Sequence, residues 1–263
     1  MFLKVGKLLK YELKSVGKWY LTLNAAVLLV SIILGLVLKA LGGNFSTDTN
    51  STSAQIFTII LVLLLAMVIS GSLLSTLAII IKRFYSNIFG RQGYLTLTLP
   101  VTTNQIICSK LLASLLWSIF NIFIVIIGII LVILPLVGIG QFVVAFPEIY
   151  KIISSSNAPL FIAYFFLSYV AGTLLIYLSI AVGQLFTNKR VLMGIVSYFG
   201  ISLLITFLTL IIDSIFHIDL FNSHANATFS QPVLLYNILV SIVEIAIFYM
   251  LTHSIIKYKL NIQ

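Results

Sequence analysis

Six long runs of apolar residues, at approximately 19–41, 56–81, 111–138, 158–186, 191–215 and 235–256, alternate with short polar segments along the chain. As helices rising about 1.5 Å per residue, each is long enough to cross the roughly 30 Å of bilayer hydrocarbon, and several need to tilt. Within each run the apolar residues are continuous. Strands of a membrane barrel would instead alternate apolar and polar positions. The pattern predicts an all-α integral membrane fold with six transmembrane helices.

Ahead of the first run, Lys4, Lys7, Lys10 and Lys14 recur three or four residues apart, while Leu3, Leu9 and Leu13 gather on another side of the same helix. This predicts an amphipathic helix over residues 1–18 lying at the cytoplasmic headgroup layer, its lysines on anionic lipid. The alternative is a solvated N-terminal extension of the first span. No internal repeat is evident, so residues 19–263 read as a single six-helix transmembrane domain. The one soft boundary is the short connection Thr187–Arg190.

Composition narrows the class. Apolar residues make up 61% of the 263 and charged residues only 8%, against about a quarter charged in an ordinary soluble domain. So little charge cannot cover a water-facing surface, so lipid must be the main solvent. The net charge of +9 would suggest nucleic acid in a soluble protein. Here the basic residues are spread over several short loops, and no nucleic-acid partner is expected. Their distribution orients the chain instead. Lys4, Lys7, Lys10, Lys14 and Lys18 precede the first span; Lys82, Arg83, Arg91 and Lys110 lie between the second and third; Lys189 and Arg190 lie between the fourth and fifth; Lys257 and Lys259 follow the sixth. Thirteen of the fifteen basic residues thus share one side, which places both termini in the cytoplasm of a multi-pass cell-membrane protein. Asp48, Glu148, Asp213 and Asp219 lean to the opposite side. The apolar run after the basic N-terminus is too long for a signal-peptide core and reads as a retained first helix.

Catalytic chemistry is not legible. The sequence has no GxxxxGK[ST] phosphate loop, no HExxH pair and no GxSxG elbow. Cys108 is the only cysteine, so no intrachain disulfide and no multi-cysteine metal site can form. The expectation is a non-catalytic membrane subunit with no cofactor of its own.

The segment from Lys82 to Lys110, KRFYSNIFGRQGYLTLTLPVTTNQIICSK, is the longest inner connection and sets basic residues beside Phe84, Tyr85, Phe89 and Tyr94. It reads as a short helix and turn presenting aromatics to the cytoplasm, ended by Gly90 or Gly93. After Pro100 the next helix begins, with Thr102 or Thr103 as cap. The plainer alternative is an aromatic belt at the membrane interface. Arg83-Phe84-Tyr85, Phe89-Gly90, Gly93-Tyr94-Leu95 and Thr98-Leu99-Pro100-Val101 resemble the signature of ABC-2 type permeases, in particular the short bacterial six-span subunits associated with export of peptides or antimicrobials. Leu8-Leu9-Lys10-Tyr11-Glu12-Leu13-Lys14 and Tyr258-Lys259-Leu260 resemble the two ends of the same proteins. The resemblance implies a permease that pairs with a second copy or a paralogue. Each copy rests on a separate ATPase subunit, which binds ATP and magnesium. It also implies a cytoplasmic coupling helix between spans 2 and 3, with Phe84, Tyr85, Ile88, Phe89, Arg91, Tyr94, Leu95 and Pro100 as the residues that meet the ATPase. The cargo class it implies is amphipathic peptides or other hydrophobic compounds.

Glu244 is the one acid well inside a span, about nine residues or roughly 13 Å from the outer start of the sixth. A charge at that depth costs at least about 2.5 kcal/mol and should face protein or water. It is a candidate contact in a translocation path, or else a packing residue hydrogen-bonded to Asn24, Asn121 or Gln184. Ser70, Gly71, Ser72, Ser75 and Ala78 on the second span, and Gly172, Ser179 and Gly183 on the fourth, predict close helix packing. Rival readings are an ATP-independent secondary transporter or channel, for which Glu244 would need ionisable partners, and a membrane assembly or immunity protein.

Overall fold

A computed structural model describes residues 2–42, 52–90, 102–138, 140–144, 147, 157–215 and 231–258. Among them are six long helices: α1 (Phe2–Gly42), α2 (Thr52–Ile88), α3 (Thr103–Val137), α4 (Ala158–Gly183), α5 (Arg190–Ile215) and α6 (Gln231–Tyr258). All six are long and apolar enough to span a membrane, and no strand occurs among the described residues. The chain is therefore a multi-pass, all-helical membrane protein. In lipid a helix satisfies every backbone polar group within itself, which is why continuous apolar runs adopt this form.

The helices outrun the apolar segments that predict them. α1 is unbroken from Phe2 to Gly42, so the basic N-terminal residues run into the first spanning segment, Tyr20–Ala40, with no break in the backbone ladder. Lysine and leucine are good helix formers, and nothing in the segment stops the backbone ladder. α2 likewise continues to Ile88, carrying Lys82–Ile88 as its last turns. It closes where the amides of Phe89 and Gly90 both donate to the Tyr85 carbonyl at 2.9 and 3.0 Å. Of the two cap candidates for α3 the structure selects Thr102. Its amide donates to Gln105 Oε1 at 3.1 Å, and the Gln105 amide returns a bond to Thr102 Oγ1 at 3.4 Å, a reciprocal capping box. Lys110 lies inside α3 and is buried, not on a loop as its sequence position suggested.

The chain divides into two compact units. One comprises the described parts of Lys7–Ile80 and Leu112–Lys151, that is, most of α1 and α2 and the greater part of α3. Leu34 and Val132 form its apolar contact, with Val37, Leu38 and Leu65 against them. A polar cluster ties its three helices together. Asn121 Nδ2 on α3 donates to Ser72 Oγ on α2 at 2.6 Å and to Asn24 Oδ1 on α1 at 3.2 Å. The Tyr20 hydroxyl donates to the Trp117 carbonyl at 3.0 Å and lies 2.9 Å from Thr76 Oγ1. The Tyr20 and Trp117 rings meet edge to face at 4.7 Å. Asn24, Ser72 and Asn121 are each 1% exposed. Lipid supplies no hydrophobic drive between helices, so such bonds and close packing are what hold them.

The other unit holds the described parts of Met1–Gly6, Ile81–Leu111 and Ile152–Gln263. Here α4 is central, packed against both α5 and α6. The buried residues of α6, Leu234, Ser241, Phe248, Thr252 and Ile256, fall at steps of seven and four and form one seam along the helix. At the α4–α5 turn the backbones touch: a Cβ on Gly183 would lie 2.6 Å from the Gly194 amide nitrogen. Only a residue without a side chain permits that approach.

Candidate functional site

Two groups of residues that the sequence singles out lie in this second unit. The first is the end of α2. Phe84 is fully buried and stacks flat on Tyr177 of α4, with centroids 3.8 Å apart and planes within 4°. Phe89 approaches Phe84 edge to face at 6.0 Å. Ile88 is also buried, whereas Tyr85 and Phe89 are half-buried. The expectation that this stretch displays its aromatics therefore needs correction for Phe84, which packs on α4 of the same unit, and the aliphatic Ile88 is buried as well. The cause is the continuation of α2: helical spacing puts residues 84 and 88 on one face, one turn apart. Arg91, Tyr94, Leu95 and Pro100 lie outside the described residues.

The second group surrounds Glu244. The carboxylate stands at the middle of α6, 13 residues from Gln231 and 14 from Tyr258, so about 20 Å from either end. The helix extends four residues beyond the apolar run at its start, which leaves Glu244 at the centre of α6. Glu244 flanks the buried seam of its helix, between Ser241 and Phe248. It lines a cavity of about 190 Å³ walled by Ser168, Ala171, Gly172 and Leu175 of α4 and by Ser202, Ile205 and Thr206 of α5, with Phe248 completing the α6 side. No basic residue lines it. One carboxylate, three hydroxyls that can each accept a hydrogen bond, and an aromatic ring, with no basic residue beside them, suit the site to a cation.

Of the partners expected for Glu244, Asn24 and Asn121 are engaged with one another and with Ser72. Gln184 caps the C-terminal end of α4. Of the small residues, Gly183 makes the close helix contact, Gly172 lines the cavity, and Gly71 faces open space. The sequence reading missed a bond between the last two spans: the Tyr236 hydroxyl donates to Asp213 Oδ1 at 2.7 Å. Its signal was available in part, since Asp213 is near the end of α5 and Tyr236 near the start of the next helix, α6. No group of three or more metal-ligating side chains occurs among the described residues. Comparison with family models, curated proteins and solved structures gave no match.

Proposed function

We propose that this chain is the membrane-spanning permease subunit of an ATP-driven exporter, working with a second copy or a paralogue. A separate ATPase subunit on the cytoplasmic side holds ATP and magnesium. The observation that carries this reading is the Phe84–Tyr177 stack. The motif residues Arg83-Phe84-Tyr85 and Phe89-Gly90 sit at the end of α2. Through Phe84 that end bears directly on α4, the helix whose Ser168, Gly172 and Leu175 wall the Glu244 cavity. Closure of the ATPase pushes on the end of α2, the flat ring pair passes the displacement to α4, and the cavity changes shape against α5 and α6. Close-packed side chains transmit such shifts rather than absorb them. The cargo is an amphipathic peptide or another hydrophobic compound, with Glu244 in its path.

The test is transport by the complex of this chain with its ATPase in proteoliposomes. Wild type should co-purify with the ATPase and move cargo only with ATP. Phe84→Leu keeps an apolar side chain but removes a ring pair worth about 0.5–1.5 kcal/mol. It should retain the ATPase, and it should lower the amount of cargo moved per ATP hydrolysed. Cargo movement without ATP, or wild-type coupling in Phe84→Leu, would refute the reading.

A further inference from the structure

The Glu244 cavity has a chemistry more specific than a general path. Its one ionisable group is an acid with no base among the lining residues, so a bound cation is its natural counter-ion at mid-membrane depth. The Thr206 hydroxyl spends its hydrogen on the Ser202 carbonyl at 2.9 Å, leaving its oxygen only lone pairs to offer. A ligand that brings several donors and no acceptor fits such a wall, and an ammonium group, with three donors, is of that kind. Phe248, 4% exposed, adds an aromatic ring to the lining, a group to which a desolvated cation is attracted.

Size argues against a bare inorganic ion. The cavity of about 190 Å³ is on the order of ten times the space one water-sized sphere occupies, so it holds an organic group as well as a charge. Its rim includes Gly172 and Thr206, both exposed. A Cβ added at Gly172 would meet nothing within 4 Å, so the rim is open there. We propose that this cavity is a binding site for a primary alkylammonium ion, its head on Glu244 and its alkyl chain leaving past Gly172. Lysine side chains and N-termini of amphipathic peptides carry the same head group. The inference rests on the exporter reading only for where a bound ion goes next.

Binding is measured on this chain alone in nanodiscs, by calorimetric titration with hexylammonium. Hexanol serves as the neutral control, and sodium is varied at constant ionic strength. Saturable binding of one hexylammonium per chain is expected, with no saturable heat from hexanol and no competition by sodium. Glu244→Gln keeps the shape of the side chain and should bind at least about tenfold more weakly, the loss of a charge-assisted hydrogen bond. Gly172→Leu fills open space at the rim and should also weaken binding. Equal binding by Glu244→Gln, equal binding of hexanol, or displacement of hexylammonium by sodium would overturn the proposal. The wild-type controls decide it even where a variant folds poorly. A chain that binds hexylammonium yet carries no ATP-dependent transport would refute the exporter reading and leave the site standing.

Discussion

Two glycines at the α4–α5 turn provide a sharp test of the packing, because they face each other yet differ in what a methyl group would meet. A Cβ on Gly183 would stand 2.6 Å from the Gly194 nitrogen, 2.7 Å from its Cα and 2.8 Å from the Arg190 carbonyl oxygen. All three are backbone atoms that no rotamer change can move. Ordinary contact begins near 3.4 Å, so the two helices would have to part by about 0.8 Å at the turn. Overpacking of this kind typically costs about 1–3 kcal/mol. A Cβ on Gly194 would meet its nearest atom, the Ser179 carbonyl oxygen, at 3.6 Å, which is normal contact. Alanine there should be neutral, or stabilising by up to about 1 kcal/mol through helix propensity. Reversible unfolding of Gly183→Ala and Gly194→Ala in mixed micelles, followed by circular dichroism, gives the two values under one condition. The expected result is opposite treatment of two adjacent glycines: a loss of about 1–3 kcal/mol at residue 183 and none at residue 194. Equal effects, or a larger loss at residue 194, would refute the close approach. Because α4 and α5 both wall the Glu244 cavity, Gly183→Ala should also weaken hexylammonium binding.

Asn121→Ala removes its own two side-chain bonds from α3, one to α1 and one to α2. At about 0.6 kcal/mol per bond in a membrane, plus the lost packing, it should cost about 1–3 kcal/mol in the same assay. Ser70→Ala, which deletes an exposed bond within α2, should change nothing, and equal effects of the two would show that the cluster does not hold the helices. Cys108, the sole cysteine and exposed near the start of α3, should react with a membrane-impermeant maleimide in inverted vesicles and not in intact cells. Labelling from outside would reverse the orientation expected from the lysine and arginine distribution.

Much of the fold was legible because it depends on local quantities. The run lengths that predict six spans reappear as six helices, with ends shifted where polar residues continued the backbone ladder, as at Lys82–Ile88. The position of Glu244 could be counted along one helix, and the count from the helix end moved only because α6 starts at Gln231. Which face of a helix meets its neighbours was not legible. In water the buried side of a helix is the apolar side. In lipid both sides are apolar, so Leu234 and Phe248 in the buried seam of α6 resemble the exposed Leu235, Leu239 and Ile247 beside them.

The sequence alone therefore determined length, polarity and the membrane class, since each follows from transferring one segment into hydrocarbon. Partnership was decided only by the tertiary structure. Asn24 and Asn121 are 97 residues apart and Ser72 and Asn121 are 49 apart, and nothing local ties any of the three to the others rather than to Glu244. Phe84 reads as a displayed aromatic until the continuation of α2 turns it onto Tyr177. The hydroxyls around Glu244 come from two other helices whose rotation no hydropathy pattern specifies. Each of these pairings depends on which helices lie side by side and how each is turned about its axis. In a solvent as apolar as the side chains themselves, that choice is made by close backbone approaches such as Gly183 with Gly194 and by a few buried hydrogen bonds.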